Sequence, residues 1–430
     1  MKKFNPFIFA QLFFLIPIIT LSQNVNQSEI EMLINKYRQT EGPYQSKKII
    51  KDLNQSGVDY DILLVNIKDN INYSSDVKKA YIEWRYAIDS IEYLTILFVP
   101  NNYSPEKKYP VSFILHGAAT TFNTEVVKLY VNKDSYNCDT LDRIVVYPGC
   151  WVMCPWWRER QTKNLDYLLN KIKQNYNVDE NNIHLSGISD GGTGIIYQAN
   201  LNVTPWASFR SYISNPGAMS RLSDKTTFIK NLGNRPFLFI SSEKDELFPP
   251  SLMDSFLEKM KQANNSYQYI LAPGYKHEIS WMPLYRDTIL HFYQNNPRTP
   301  YPTTLFWQTD NPKYGRNHWV IIDKLLYKDK QNLEKYPVIK PVNKDIDSFS
   351  AIIEVKRTEN TIHVKTINVK QYTLLLSSEQ FNFEKEIQVY TNGALTFQGI
   401  VTKDIETLLK WYKKDLDRTM LFGAELTIKM

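Results

Sequence analysis

The chain has 430 residues, 51 Lys and Arg against 45 Asp and Glu, and 43% hydrophobic residues. That composition allows a large packed core and excludes a disordered chain, and the length argues for two or three units. The formal charge of +6 is mild and its signs are interleaved, as along residues 324–335, so no nucleic-acid groove is implied.

Lys2 and Lys3 open the chain, Phe7 to Leu21 is almost wholly apolar, and Thr20-Leu21-Ser22-Gln23 offers small residues for cleavage after Ser22. These are the three regions of a secretory signal, and the apolar run is too short to span a bilayer. Residues 1–22 are therefore expected to be an export signal, and the protein to be periplasmic or secreted with no membrane span. Residues 23–85 are polar, with Ile30, Leu33, Ile34 and Tyr37 at helical spacing, and give an N-terminal helical extension.

From residue 86 the pattern changes. Short apolar runs end in Gly or Pro and alternate with helical segments. Ile91–Val99, Val111–Leu115, Arg143–Tyr147, Asn182–Ser186, Phe237–Ser241 and Tyr267–Leu271 have the character of strands. Leu165–Tyr176, Gly192–Leu201 and Ser251–Gln262 have the character of helices. Apolar runs without alternation fit strands buried on both faces, and the strand–helix order implies parallel pairing. The fold class is α/β, with a catalytic unit over 86–297. Arg298 to Pro302 marks a boundary. Beyond it, over 298–430, β-rich runs such as Ala351–Val355 and Tyr372–Leu376, with the Asn392-Gly393 turn, imply a C-terminal antiparallel β-domain.

The chemistry centres on Gly187-Ile188-Ser189-Asp190-Gly191, between a predicted strand and a predicted helix. A sharp turn there presents the Ser hydroxyl at a helix N-terminus, where backbone N–H groups favour negative charge. A hydroxyl needs a base. His116 and His184 precede Ser189, His291 lies in an apolar helical run, and His318 and His363 lie in the β-rich tail. His277, in the loop after the Tyr267–Leu271 strand, is the candidate base. The acid is expected after the Phe237–Ser241 strand. Asp245 is the choice, with Glu243 and Glu246 as competitors; it would orient His277. Oxyanion donors are expected from the N–H of Asp190 and from Gly117 or Ala118.

These pieces carry a resemblance. Tyr109-Pro110-Val111 before Leu115-His116-Gly117, Tyr147-Pro148-Gly149, Gly187 to Gly192, Lys244-Asp245 with Phe248-Pro249, and His277 resemble the exported esterase and prolyl-oligopeptidase-like branch of the α/β-hydrolase superfamily. That branch includes feruloyl and acetylxylan esterases. The resemblance covers residues 86–296 and implies a mostly parallel sheet flanked by helices and a Ser-Asp-His triad. It does not fix the substrate; a small-molecule ester or acylated saccharide is expected, with no cofactor. Asp190 departs from it, standing where many relatives carry Met or Ala.

Trp156 and Trp157, after the Val145 strand, and Trp281, just past His277, are candidates to line the substrate pocket. Cys138, Cys150 and Cys154 allow one disulfide and a free thiol in an exported chain. Cys150-x-x-x-Cys154 has no partner pair, so no metal centre is expected. A peptidase of the same fold and a binding module on a hydrolase scaffold are the alternatives.

Overall fold

The computed structural model describes residues 27–326, 336–342 and 349–430. The predicted export signal lies outside the described residues. Among the described residues no helix is long and apolar enough to cross a membrane.

Three helices open the structure, α1 (Gln27–Gln39), α2 (Pro43–Gln55) and α3 (Tyr60–Asp69). β1 (Ala80–Ile88) begins inside the stretch expected to be helical extension. It pairs antiparallel with β2 (Ile91–Val99) through a tight turn at Asp89 and Ser90, both at positive φ (48° and 63°). A two-residue turn of that kind matches the twist of a hairpin. β3 (Tyr109–Leu115), β4 (Ile144–Pro148), α4 (Glu159–Asn175), β5 (Val178–Ile188), α5 (Asp190–Leu201), β6 (Phe209–Tyr212), β7 (Phe237–Ser242), α6 (Ser251–Gln262), β8 (Gln268–Ala272) and α7 (Arg286–Gln294) follow.

The eight strands form one sheet in the order β1-β2-β4-β3-β5-β6-β7-β8. β1, β2 and β4 pair antiparallel; every pairing from β4 onward is parallel. This is an α/β-hydrolase sheet. The chain reverses direction across the sheet beside β3 and β5, which puts their carboxyl ends at the crevice where ligands bind in open α/β sheets.

The two faces of the sheet are covered unequally. On one, Phe113, Leu115, Ile183, Leu185 and Phe209 pack under α4, α5 and α6 in the main apolar core. On the other, Ile188, Tyr212, Leu238 and Ile240 meet α7 and the segment before it through Trp281 and Phe292. The β3–β4 connection supplies only a one-turn helix, Val127–Tyr130, where a longer crossover helix would otherwise lie against that face.

The C-terminal region forms two further sheets. β9 (Thr304–Thr309), β11 (Ala351–Thr358), β12 (Thr361–Ile367), β14 (Ile387–Thr391) and β15 (Ala394–Gly399) make one. β10 (Val320–Leu325), β13 (Val369–Leu376) and β16 (Ala424–Lys429), with the short Arg316–Asn317 strand, make the other. Pairing is antiparallel except between β12 and β14. Their inward residues, among them Trp307, Ile353, Val364, Tyr372 and Leu374, join the same apolar cluster as the main sheet. The buried Arg418–Glu180 ion pair (2.5 Å) fastens the regions together, and Arg298, paired with Asp417 at 2.6 Å, also donates to Asn181 Oδ1 at 3.0 Å. The tail also holds a helix the sequence pattern did not suggest, α8 (Ile405–Asp415). Leu408, Leu409 and Tyr412 of α8 pack against Ile30, Ile34, Leu53 and Leu63 of α1–α3.

No disulfide forms among the three cysteines, where the sequence allowed one. Cys138, Cys150 and Cys154 are all free and buried. Each lies in a different apolar cluster, which keeps the sulfurs apart. No metal-binding group of side chains occurs among the described residues.

Candidate active site

Ser189 occupies the turn between β5 and α5, at φ 56° and ψ −119°. A non-glycine residue there is strained, and such strain persists only where surroundings enforce it. Gly187 and Gly191 allow the turn. A Cβ on Gly187 would lie 2.3 Å from the Gly191 carbonyl oxygen, and one on Gly191 2.1 Å from that of Leu115. Strand and helix therefore approach closely, and the serine is lifted to the sheet edge at the positive end of α5.

The structure brings Ser189, His277 and Asp245 together. The Ser189 hydroxyl donates to His277 Nε2 at 2.9 Å. His277 Nδ1–H donates to Asp245 Oδ2 at 2.7 Å. The second Asp245 oxygen accepts the N–H groups of Leu247 (3.0 Å) and Phe248 (2.7 Å). Those bonds fix the buried carboxylate in its loop and leave one oxygen to hold the imidazole with Nε2 turned toward Ser189. The Phe248 ring packs edge-on against His277. Of the competing acids, Glu243 accepts the Gly274 N–H at the surface and Glu246 is exposed.

Gly117 and Ala118 lie beside the serine. A Cβ on Gly117 would come 3.3 Å from that of Ser189, and Ala118 is held at φ 50°. Among the described residues, neither N–H has a hydrogen-bond partner within the chain. Asp190, the third predicted oxyanion contributor, also acts through its side chain. Its Oδ2 accepts the Ala119 N–H at 2.8 Å. Burial raises the Asp190 carboxyl above the usual range, and the Ala119 bond and nearby His277 oppose this. The carboxylate thus ties the loop after β3 to the first residue of α5.

His116 braces the same loop from below. Its Nε2 accepts the Cys150 N–H at 3.1 Å, so Nδ1 carries the proton and donates to the Gly117 carbonyl at 2.6 Å. Burial pushes its pKa down to about 4, which keeps the ring neutral. The sequence pattern gave His116 no such duty, because the role depends on a partner 34 residues away.

The tryptophans are corrected by the structure. Trp156, Trp157 and Trp281 are 0%, 3% and 0% exposed, so none presents a face to a ligand. Trp156 Nε1–H donates to the His116 carbonyl at 2.8 Å, and its Cβ fills the space a side chain at Gly194 would need. Trp281 Nε1–H donates to Ser242 Oγ at 3.0 Å and packs edge-on against Tyr212. Their loops turn inward, and they support the site from behind.

A cavity of about 670 Å³ opens beside the triad on the thinly covered face of the sheet. It runs from His116, Tyr130, Ile188 and Ile279 down to Ser112, Arg143 and Arg210. None of these residues stood out in the sequence pattern as part of a site, apart from His116 in the loop motif.

No protein-family model matches the chain, and no curated protein sequence does. Among solved structures it is similar to a thermostable esterase (18% identity, TM-score 0.42), covering 51% of this chain and 63% of that one. It is similar to a putative dipeptidyl aminopeptidase IV from Bacteroides ovatus (16%, TM-score 0.38), covering 51% and 36%. It is also similar to a ferulic acid esterase from Anaeromyces mucronatus in complex with ferulic acid (16%, TM-score 0.38), covering 52% and 93%. The chain thus spans under two thirds of the first two. The order of the eight strands and the turn at Ser189 give the α/β-hydrolase fold without these likenesses.

Proposed function

We propose that the protein is a serine hydrolase that cleaves carboxylic esters through an acyl-enzyme on Ser189. The observation that carries this is the unbroken Asp245–His277–Ser189 hydrogen-bond chain, ending on a strained serine at a helix N-terminus. As Ser189 Oγ attacks the ester carbonyl, its proton passes to His277 Nε2, and Asp245 stabilises the imidazolium. The carbonyl oxygen becomes an oxyanion, held by the N–H of Asp190 and those of Gly117 or Ala118. His277 returns the proton to the leaving alcohol. Water, deprotonated by the same imidazole, then releases the acid.

An ester suits the adjoining cavity better than a peptide N-terminus does. Among its described lining residues are three arginines and no Asp or Glu, the wrong charge for an α-ammonium group. Export completes the reading, on the strength of the charged, apolar and small-residue regions over residues 1–22. Acylated saccharides remain within the substrate class to be tested.

A fluorophosphonate probe tests the chemistry. It should label Ser189, and Ser189→Ala should abolish both labelling and ester turnover. Turnover that survives in Ser189→Ala would refute the proposal. A panel of 4-nitrophenyl esters, acetylated and feruloylated sugars and aminoacyl-anilides tests the substrate class, and turnover confined to anilides would reassign the protein as a peptidase.

A further inference from the structure

We infer that the cavity selects esters carrying an anionic group, which Arg210 and Arg143 bind at its floor. The inference rests on the serine-hydrolase reading above and names the substrate class of that site.

It starts from an irregularity in the sheet. The side chains of β3, β4, β5 and β6 that face away from α4 and α5 are Ser112, Val145, Ser186 and Arg210, followed toward the carboxyl ends by Ile114, Tyr147, Ile188 and Tyr212. Polar side chains at the centre of a parallel sheet face are unusual, because both faces are normally covered by apolar helices. The one-turn helix of the β3–β4 connection leaves the space unfilled.

Arg210 is the pivotal residue. It is 6% exposed, and its Nε has no hydrogen-bond partner although it is wholly buried. A buried guanidinium without a counter-charge is costly unless something supplies one. Its guanidinium carbon lies 4.7 Å from the centre of the Tyr293 ring, and Arg143 lies over the same ring at 4.3 Å. Arg143 has one carboxylate neighbour, Asp142, whose side chain is 67% exposed and lies outside the cavity lining. Ser186, level with Arg210, and Ser112, two residues deeper with its hydroxyl on Tyr293, add polar surface to the same cavity. Arg286 lines the same cavity. Three guanidiniums without an acid among the described lining residues make the chamber a receptor for negative charge.

The geometry sets the spacing. Arg210 pairs in register with Ser186, three residues before Ser189 on the same strand. At ~3.3 Å per residue, the Arg210 backbone lies about 10 Å below the nucleophile. A carboxylate, sulfate or phosphate at that distance from the ester carbonyl reaches the floor while the carbonyl sits at Ser189.

The test compares kcat/KM for matched esters with the full chain. On the acyl side, the 4-nitrophenyl hemi-ester of suberic acid is set against 4-nitrophenyl octanoate. On the alcohol side, 4-carboxyphenyl octanoate is set against phenyl octanoate. Rates are normalised to the fraction of enzyme that fluorophosphonate labels at Ser189. Charge-assisted bonds to a buried guanidinium should favour the anionic member of one pair by about 30-fold. That ratio should fall at least tenfold in Arg210→Gln, and Arg210→Lys should restore part of it. A wild-type preference for the neutral ester in both pairs, or a ratio untouched by Arg210→Gln, would overturn the inference while labelling of Ser189 leaves the hydrolase reading intact. Absence of labelling would remove both.

Discussion

The bond from Asp190 to the Ala119 N–H predicts how replacing Asp190 will affect rate. Asp190→Ala leaves the backbone donor of residue 190 in place but releases the loop that carries Gly117 and Ala118. The lost bond, at 2.8 Å to a carboxylate, is of the charge-assisted kind and is worth about 1.5–3 kcal/mol. If that energy serves to hold the oxyanion donors in place, the acylation rate should drop roughly 10- to 100-fold at ~1.4 kcal/mol per decade. The ceiling is the ~10²–10³ that follows outright loss of a donor. Asp190→Asn keeps an oxygen acceptor of the same shape and should lose under about 5-fold. The assay is the second-order rate of fluorophosphonate labelling, with kcat for a 4-nitrophenyl ester beside it. Labelling of Asp190→Ala at the wild-type rate would show that the loop is held without Asp190.

Three further outcomes are expected. Trp156→Ala should cost about 3–5 kcal/mol in urea unfolding, because it empties a fully buried site; a change in KM with unchanged stability would return Trp156 to the pocket. Arg418→Ala should cost a similar ~3–5 kcal/mol by stranding the buried Glu180 carboxylate, and a loss below ~1 kcal/mol would mean the two regions are not held by this pair. The protein should also lose stability as pH falls from 6.5 toward 4. His116 binds its proton more weakly when folded, with a pKa near 4, so the unfolded chain takes up protons first and about 3 kcal/mol disappears across that window. His184 and His318, also depressed by burial, steepen the slope, and His116→Gln should flatten it. Urea midpoints at pH 7 and 4.5 decide, and equal midpoints would refute this account.

The sheet and the turn at Ser189 were legible because their signals are local. Six of the eight strands are short apolar runs with a Gly or Pro end, and Gly187, Ser189 and Gly191 sit at the strand–helix junction. His277 and Asp245 followed from chain order and loop position. What escaped the sequence depends on contacts between distant segments. Trp156 and Trp281 looked like ligand platforms because aromatic composition says nothing about which way a loop turns. β1 was missed because it alternates half-buried and exposed residues on an edge. α8 was missed because its apolar stripe was judged within a β-rich tail; its partners, α1–α3, lie at the far end of the sequence. Arg210 was missed because β6, only four residues long, was not picked out as a strand. A period-two comparison of β3, β5 and β6 would have put Ser112, Ser186 and Arg210 on one face.

The packing of α8 on α1–α3 bears on the order in which the chain can fold. The Tyr37 hydroxyl donates to the Leu409 carbonyl, a contact between residues 372 positions apart. The apolar faces of Ile30, Ile34 and Leu63, which pack with Ile49 and Leu53, complete their cover only when residues 408–421 exist to provide it. Contacts of such span close late and slowly, since the chain between them must be ordered first. The N-terminal helices therefore wait through synthesis with part of their apolar face uncovered until the last tenth of the chain is made.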